Sequence, residues 1–410
     1  PTKATAGTPT YAATVADQMA TLDASKIGST YPAAPSTPTI IDRNLNMNAV
    51  WKSALAFDAR LPYGIDFTLE GLYSREYNSV VIRNANVYQK GTATTELAPG
   101  DSRILYSLYD KSVNPCIITN TRDDGAYYYS ITASLAKKFD FGLNLSASYT
   151  YSYSRTYTDG AGDQVSSAYT NNRYSVNAVN EEELGYGTFV SPNRLLVSAS
   201  YRKEYRKHFA STVSLLYDGM NKGIVGNLLQ SRYSYTLSRN VVGDYGANNL
   251  MYIPASRKAL DAWNFIDIPT NAENGVEAYS AKEQRDDFWA FIQQDSYLSK
   301  HTGEYAQRGG AVMPWHHQLD FKFLQDFYLN VGGKRNTLQL GVDIENVLNL
   351  INKHWGLYQQ VNTIQPLTIN KDGSFNFAKT GNQKLSETYS DYNDMSSTYQ
   401  IMFSLRYIFN

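Results

Sequence analysis

The residues that most often perform catalysis or bind metals are few in this sequence, and their spacing suits neither task. The adjacent pair His316-His317 lies in a segment with strand periodicity, where neighbouring side chains point to opposite faces and cannot chelate one ion together. The patterns GxSxG, HExxH and the phosphate-binding P-loop do not occur. With one cysteine, Cys116, no internal disulfide or cysteine metal site can form. We therefore expect no enzyme activity and no cofactor.

Acidic residues are grouped in polar segments that are expected to be loops. Asp286-Asp287 and Glu181-Glu182-Glu183 are predicted to be solvated loop charge rather than acid–base pairs. The overall expectation is that the chain has no metal site. The alternative is Ca²⁺ held by loop oxygens, and its candidate ligands are Asp159, Asp163 and Asp244.

Aromatic residues offer a different chemistry, which is stacking. The chain has 34 Tyr, 16 Phe and 5 Trp. Rings in long loops could form a platform for a sugar or a peptide, and the alternative for each ring is packing of the loops against one another. The candidates that face a ligand in the loops are Tyr245, Tyr252, Trp263, Phe265, Trp289, Trp315 and Trp355.

The elements that position these residues are best seen in the stretch 127–154. From Tyr129 to Ala136, and again from Phe141 to Ser154, apolar residues alternate with Ser, Thr and Asn. A period of two places each set on one face of a β-strand. The strands are longer than in most soluble sheets, and tyrosines lie near their ends. Long strands of this kind are typical of a transmembrane β-barrel wall, and a soluble β-protein is the alternative.

The same alternation predicts nine strands, at about 47–60, 65–87, 127–138, 141–154, 189–205, 209–235, 316–329, 337–347 and 399–409. Polar residues on the face opposite the apolar one are predicted to line the lumen. Two interpretations are open for these residues. Some of them contact a plug or a substrate, or they pair with one another across neighbouring strands. They are Lys52, Asp58, Arg60, Glu70, Arg202, Asp320, Lys322, Asp343, Glu345 and Arg406.

The connections between these strands fall into two classes. Short turns follow strands one, three, five and seven, whereas long segments follow the others, at about 88–126, 155–187, 237–314 and 348–398. Residues 281–300 in the third segment have helical spacing. Outer-membrane barrels have short periplasmic turns and long extracellular loops, and single-chain barrels have an even number of strands. The odd count predicts the C-terminal part of a barrel (47–410) that begins in an extracellular arm (1–46), with the remaining strands on an upstream segment.

Composition agrees with an outer-membrane protein. No run approaches about 18 apolar residues, so no transmembrane helix is expected. The formal net charge is −1, which argues against nucleic acid as a partner. The expected partner is outer-membrane lipid.

Several segments resemble TonB-dependent outer-membrane receptors, in particular the Oar-like branch common in Bacteroidetes. The run from Asp343 to Gly356, DIENVLNLINKHWG, is similar to the penultimate-strand segment of that superfamily. The segments 249–254 (NLMYIP), 291–301 (FIQQDSYLSKH) and 314–320 (PWHHQLD) resemble segments of the branch. The resemblance covers 190–410 by motif and 47–155 by strand pattern only. Sus-type glycan importers are the runner-up branch, although their characteristic C-terminal motif is not found.

The resemblance implies a barrel of about 22 strands closed by a plug, with import driven by TonB. The chain lacks the plug and the TonB-binding segment, so both would belong to the upstream segment, and a surface lipoprotein is a further candidate partner. The stretch 243–248 is poor in carboxylates, which puts a calcium loop there in doubt. The expected function is active import of a peptide, glycan or metal chelate. The alternatives are a passive porin and an adhesive or structural surface protein.

Overall fold

One antiparallel sheet organises the chain. The computed structural model describes residues 38–94, 97–159, 164–170, 173–271, 277–380 and 383–409. Nine long strands lie side by side in chain order. The two-residue strand Gly185–Tyr186 pairs with the C-terminal end of the fourth strand. The nine-strand prediction is confirmed. The strands are β1 Ala49–Leu61, β2 Ile65–Tyr77, β3 Tyr127–Lys138, β4 Leu143–Thr156, β5 Asn193–Tyr205, β6 Phe209–Asn221, β7 Trp315–Val331, β8 Lys334–Glu345 and β9 Gln400–Phe409.

The two faces of this sheet differ as the alternation predicts. Residues directly opposite one another share a face, and on one of the two faces they form hydroxyl pairs across the strands. Thr132 and Thr150 are joined at 2.9 Å, and Ser146 and Ser198 at 2.7 Å. The other face is apolar and largely exposed, as at Leu55 and Phe403. We call the hydroxyl face the inner face and the apolar face the outer face.

Aromatic side chains form two belts on the outer face. At one end, Tyr129 stacks on Tyr153 with ring centroids 5.4 Å apart. At the other end, Phe209 contacts Tyr205 at 5.8 Å and Phe327 at 5.7 Å. A 13-residue strand such as β1, at about 3.3 Å per residue and a tilt of about 40°, rises roughly 30 Å. The wall therefore has the height and the two aromatic belts, or girdles, of a membrane-spanning sheet.

Short turns lie at one end of the sheet and long segments at the other, and we call these the short-turn end and the long-loop end. The turns are 62–64, 139–142, 206–208 and 332–333, and the long segments are 78–126, 157–192, 222–314 and 346–399. The turn between β7 and β8 is Gly332-Gly333, with φ of +62° and +81°. Two left-handed residues in a two-residue loop match the twist of a hairpin, which is why glycine suits both positions.

Two strands end earlier than the alternation predicts. β2 stops at Tyr77 because Asn78 adopts a left-handed φ of +54°, and the chain then starts a separate strand, Val80–Asn84, in a small sheet. β6 stops at Asn221, whose side-chain amide donates to the carbonyl of Met313 at 2.9 Å. The predicted extensions toward Val87 and Tyr235 are therefore wrong. Alternation continues across these breaks because the loops also contain strands.

The long segments fold into a layer of their own, the loop layer. Residues from 233–313 and 361–385 share its largest hydrophobic core, which contains Met251, Phe288, Phe291 and Phe377. Its short strands are Thr39–Ile41, Val80–Asn84, Val87–Thr94, Ile104–Leu108, Cys116–Asn120, Gly223–Val225, Leu228–Gln230, Arg232–Tyr233, Ala311–Val312, Tyr358–Val361, Leu367–Ile369, Phe375–Phe377, Lys379–Thr380, Gln383–Lys384 and Tyr389–Tyr392.

Helices in this layer are short. Among the described residues they are α1 Val165–Thr170, α2 Ala281–Gln294 and α3 Val347–Ile351, with 3₁₀ turns at Ala259–Ala262 and Leu298–Lys300. Another 3₁₀ turn, Pro62–Gly64, lies outside the layer, in the short turn after β1. The predicted helix at 281–300 is α2 followed by the 3₁₀ turn Leu298–Lys300. Ser280 and Glu283 form a capping box at its start. Asp295 ends it by accepting from the amides of Tyr297 and Leu298 at 2.9 and 2.7 Å. No helix in the described ranges is long and apolar enough to cross a membrane.

Candidate functional site

The polar residues predicted for the lumen all lie on the inner face, because the register places them opposite other inner-face residues. Lys322 on β7 faces Asp343 on β8, and their side chains form an ion pair at 2.8 Å. Glu345 lies opposite Gln400. In the described part of the chain, Lys52, Arg60, Glu70 and Arg406 form no ion pair. The inner wall thus holds both paired and unpaired charge.

Arg202 belongs to a cluster of polar residues at the short-turn end. Its guanidinium contacts the carboxylate of Asp326 at 2.9 Å and the hydroxyl of Tyr328. Gln339 donates to the same carboxylate at 2.7 Å, and Arg335 lies 3.4 Å from the centre of the Tyr328 ring. Sequence reasoning missed Asp326 and Tyr328, although both share the alternation of Lys322. This cluster joins β5, β7 and β8 across the inner face and so spans the intervening strand β6.

Some of the predicted ligand-facing aromatics lie inside the loop layer. Trp263 and Phe265 are only 3% and 6% exposed and pack on Phe375, with centroids 5.1 and 5.8 Å away. Tyr252 and Trp289 are partly buried against the same core. In this conformation Trp263 and Phe265 contribute to loop packing and present no surface to a ligand.

The other three aromatic candidates are exposed. Trp315 begins β7 on the outer face, where its ring stacks at 6.1 Å on His317, so it belongs to the wall rather than to a loop. Tyr245 and Trp355 are 56% and 51% exposed in the loop layer. The histidine pair is split between faces as predicted, since His316 stacks on Tyr358 at 4.1 Å.

The two calcium candidates that the structure describes, Asp159 and Asp244, belong to no group of three or more side chains that could hold a metal ion. Asp163 lies outside the described residues. Asp244 is fully buried and accepts from the amides of Val179 at 2.6 Å and Gly246 at 3.0 Å, so its oxygens are already used. Asp159 accepts from the amide of Thr188 at 3.2 Å, and burial raises its pKa. Among the described residues, no group of three or more His, Cys, Asp or Glu side chains could hold a metal ion.

A cavity of about 540 Å³ lies within the loop layer. Its walls are largely apolar and include Val225, Leu228, Val361 and Ile364, and the Asp159 carboxylate lies among them. Concave apolar sites with a few polar groups are the usual form of a small-molecule site. The loop layer can therefore enclose a ligand of moderate size.

A second cavity, of about 380 Å³, is polar. Four carboxylates line it, from Asp123 and from the run Glu181-Glu182-Glu183, together with Arg122 and Tyr106. Sequence reasoning treated the glutamates as solvated charge and missed Tyr106 and Asp123. No local signal could have found the cavity, because its walls come from three separate parts of the chain.

Comparison with known proteins agrees with the architecture. A family model described as an outer membrane beta barrel domain matches residues 1–366. No curated protein matches the chain. The matched region contains β1 to β8, and β9 continues the same sheet by pairing with β8 from Asn336 to Glu345. The two girdles, the apolar outer face and the family match lead to one conclusion: the chain belongs to the outer membrane beta barrel domain family and is located in the bacterial outer membrane.

Proposed function

We propose that the protein imports a nutrient ligand actively, as a TonB-dependent receptor of the Oar-like branch, and that this chain supplies wall and ligand-facing loops. The observation that carries the proposal is the folded loop layer. Three of the four long segments share one hydrophobic core, and smaller apolar clusters join the fourth segment, 157–192, to them. Together the four segments enclose cavities at the long-loop end of a polar inner wall. A passive pore needs an open mouth, whereas a receptor needs a structured surface that captures its ligand.

The edges of the sheet support a larger assembly. Within the described residues, β1 pairs only with β2 and β9 only with β8, so the sheet is not closed. An open strand edge is not tolerated in the hydrocarbon region, where no water satisfies its backbone groups. We propose that an upstream segment, on the same or a separate chain, supplies the remaining strands of a barrel of about 22 and the plug.

Orientation follows from the loop classes. Outer-membrane barrels place long loops outside the cell and short turns in the periplasm. The loop layer would then capture the ligand outside, alone or with a surface lipoprotein, and TonB would act on the plug from the short-turn end. The Arg202–Asp326 cluster and the unpaired charges of the inner wall would be available to the plug.

Two measurements test this function. Purified full-length protein is placed in a planar bilayer, where a plugged importer is expected to show no steady open conductance. Cells that express it are compared with and without functional TonB for accumulation of radiolabelled medium components. Steady open conductance would identify a passive porin instead. Accumulation that is absent in both strains, with cell-surface binding unchanged by TonB loss, would identify an adhesive protein.

A further inference from the structure

The polar cavity is built by two of the long segments, 78–126 and 157–192. Tyr106 comes from the strand Ile104–Leu108, Asp123 and Arg122 follow the strand Cys116–Asn120, and the glutamates precede Gly185. The cavity opens to solvent, since the side chains of Arg122 and Glu181 are 61% and 44% exposed. A ligand group of moderate size can therefore enter it from the surface.

Two of the four carboxylates that line the cavity already bind other groups of the protein. Glu182 forms an ion pair with Arg83 and accepts from the backbone amide of Arg122 at 2.7 Å. Glu183 accepts from the amide of Val176 at 3.1 Å, and burial raises its pKa. The side chains of Glu182 and Glu183 therefore stabilise the segment 157–192, and they are expected to contribute less to ligand binding than the other two carboxylates.

The other two carboxylates, of Glu181 and Asp123, have little positive charge and few hydrogen-bond donors near them. Glu181 lies 3.9 Å from Arg122, which is a loose contact between two exposed side chains. Asp123 has no hydrogen bond or ion pair from its side chain in the described part of the chain. One exposed guanidinium therefore stands against two carboxylates, and the cavity keeps an excess of negative charge.

Tyr106 provides a second, independent observation that points to a binding site. The residue is 7% exposed, and its hydroxyl is buried without a hydrogen-bond partner among the described residues. A buried hydroxyl without a partner costs about 1–3 kcal/mol, and such groups are rare in folded proteins. Tyr106 is one of the residues that line the cavity, and its hydroxyl lies near the carboxylate of Glu181 and the backbone of Ala178. A donor on a ligand that enters beside Glu181 would satisfy this hydroxyl.

We propose that this cavity binds the guanidinium or primary ammonium group of a ligand, through Glu181, Asp123 and the Tyr106 hydroxyl. A metal ion fits less well, because no cluster of three metal-ligating side chains lies among the described residues. An organic cation needs only hydrogen-bond acceptors and negative charge around it. The inference deepens the proposed function by naming the ligand class, and it depends on that function only for the fate of the ligand after binding.

The test is direct binding to the full-length protein, purified from outer membranes in detergent. The probes are Nα-acetyl-arginine amide, Nα-acetyl-lysine amide and the near-isosteric but neutral Nα-acetyl-citrulline amide, measured by calorimetry. At least one cationic probe is expected to bind about tenfold or more tightly than citrulline amide. The preference is expected to shrink at high salt because the exposed charges are screened.

Variants locate the binding. Glu181→Gln is expected to weaken the preferred probe about tenfold, and Tyr106→Phe, which removes only the hydroxyl, about two- to tenfold. Arg122→Gln removes the competing internal cation and is expected to strengthen binding. Glu387→Gln, at an exposed carboxylate elsewhere in the loop layer, is the matched control and is expected to change nothing.

Equal binding of all three probes would overturn the proposal, and so would unchanged binding in both Glu181→Gln and Tyr106→Phe. Each variant is checked for folding by its heat-modifiable mobility on gels. Binding in detergent requires neither energy nor TonB. A failure of import would therefore leave this result intact, and a failure of binding would leave import untouched.

Discussion

Asn346 and Gly356 are joined where β8 leaves the wall. The side-chain amide of Asn346 donates to the carbonyl of Gly356 at 2.8 Å, and it also donates to the carbonyl of Ser397 at 2.9 Å. Asn346 itself adopts a left-handed φ of +52°. The pair thus connects the end of β8, the start of the last long segment and the approach to β9.

Gly356→Ala is expected to destabilise the protein by about 2 kcal/mol or more. Its φ of +66° is strained for alanine, and the new methyl group would collide with the side-chain oxygen of Asn346. Urea unfolding followed by heat-modifiable gel mobility measures the change. Gly332→Ala is the matched control, because its φ is +62° but nothing lies within 4 Å of the added methyl. A loss as large in Gly332→Ala would show that φ alone, and not the contact with Asn346, is responsible.

Two ion pairs on the inner face are expected to differ in strength. Asp326→Ala should cost about 2 kcal/mol, because its side chain is 6% exposed and its removal leaves Gln339 without this acceptor and Arg202 without its shortest ion pair. Asp343→Ala should cost about 1 kcal/mol or less, since its partner Lys322 is half exposed. Urea unfolding of both variants gives the comparison. Equal losses would contradict the ranking.

Aromatic residues of the loop layer should separate into structural and exposed groups. Trp263→Ala is expected to destabilise the loop layer by about 3–5 kcal/mol, because it removes a buried ring from the core. Trp355→Ala should change stability by about 0.5 kcal/mol or less, since the ring is half exposed. Limited proteolysis of the loops reports both. Lower ligand uptake in Trp355→Ala, at unchanged stability, would support its predicted contact with ligand.

High pH should destabilise the loop layer through its buried tyrosines. Burial raises the pKa of Tyr297 and of Tyr389 to about 12 from the ordinary 10.0, so the folded state keeps protons that the unfolded state loses. Their contribution is fully present below pH 10 and is lost as the pH rises toward 12, by up to roughly 1.4 kcal/mol per pH unit for each tyrosine. Phenolate absorbance and near-ultraviolet circular dichroism are recorded together. Ionisation of these tyrosines near pH 10 with native dichroism retained would contradict the prediction, and Tyr389→Phe should reduce the pH slope.

The sequence by itself determined the wall. Each strand carries its own period-two signal, so the number of strands, their faces and the positions of Lys322 and Asp343 on one face can be read locally. The alternation of short and long connections likewise follows from chain order alone. The exceptions are breaks such as Asn78, where one left-handed residue ends a strand without interrupting the pattern on either side.

Only the tertiary structure decided what the long segments do. Trp263 and Trp355 are both tryptophans in long segments between wall strands. Trp263 is buried in the core whereas Trp355 is exposed, because burial depends on which distant segments pack against each ring. The polar cavity has the same origin, since Tyr106 and Glu181 meet only after two segments of the chain fold together. Alternation and composition are properties of neighbouring residues, whereas a binding cavity is formed by residues that only long-range packing brings together.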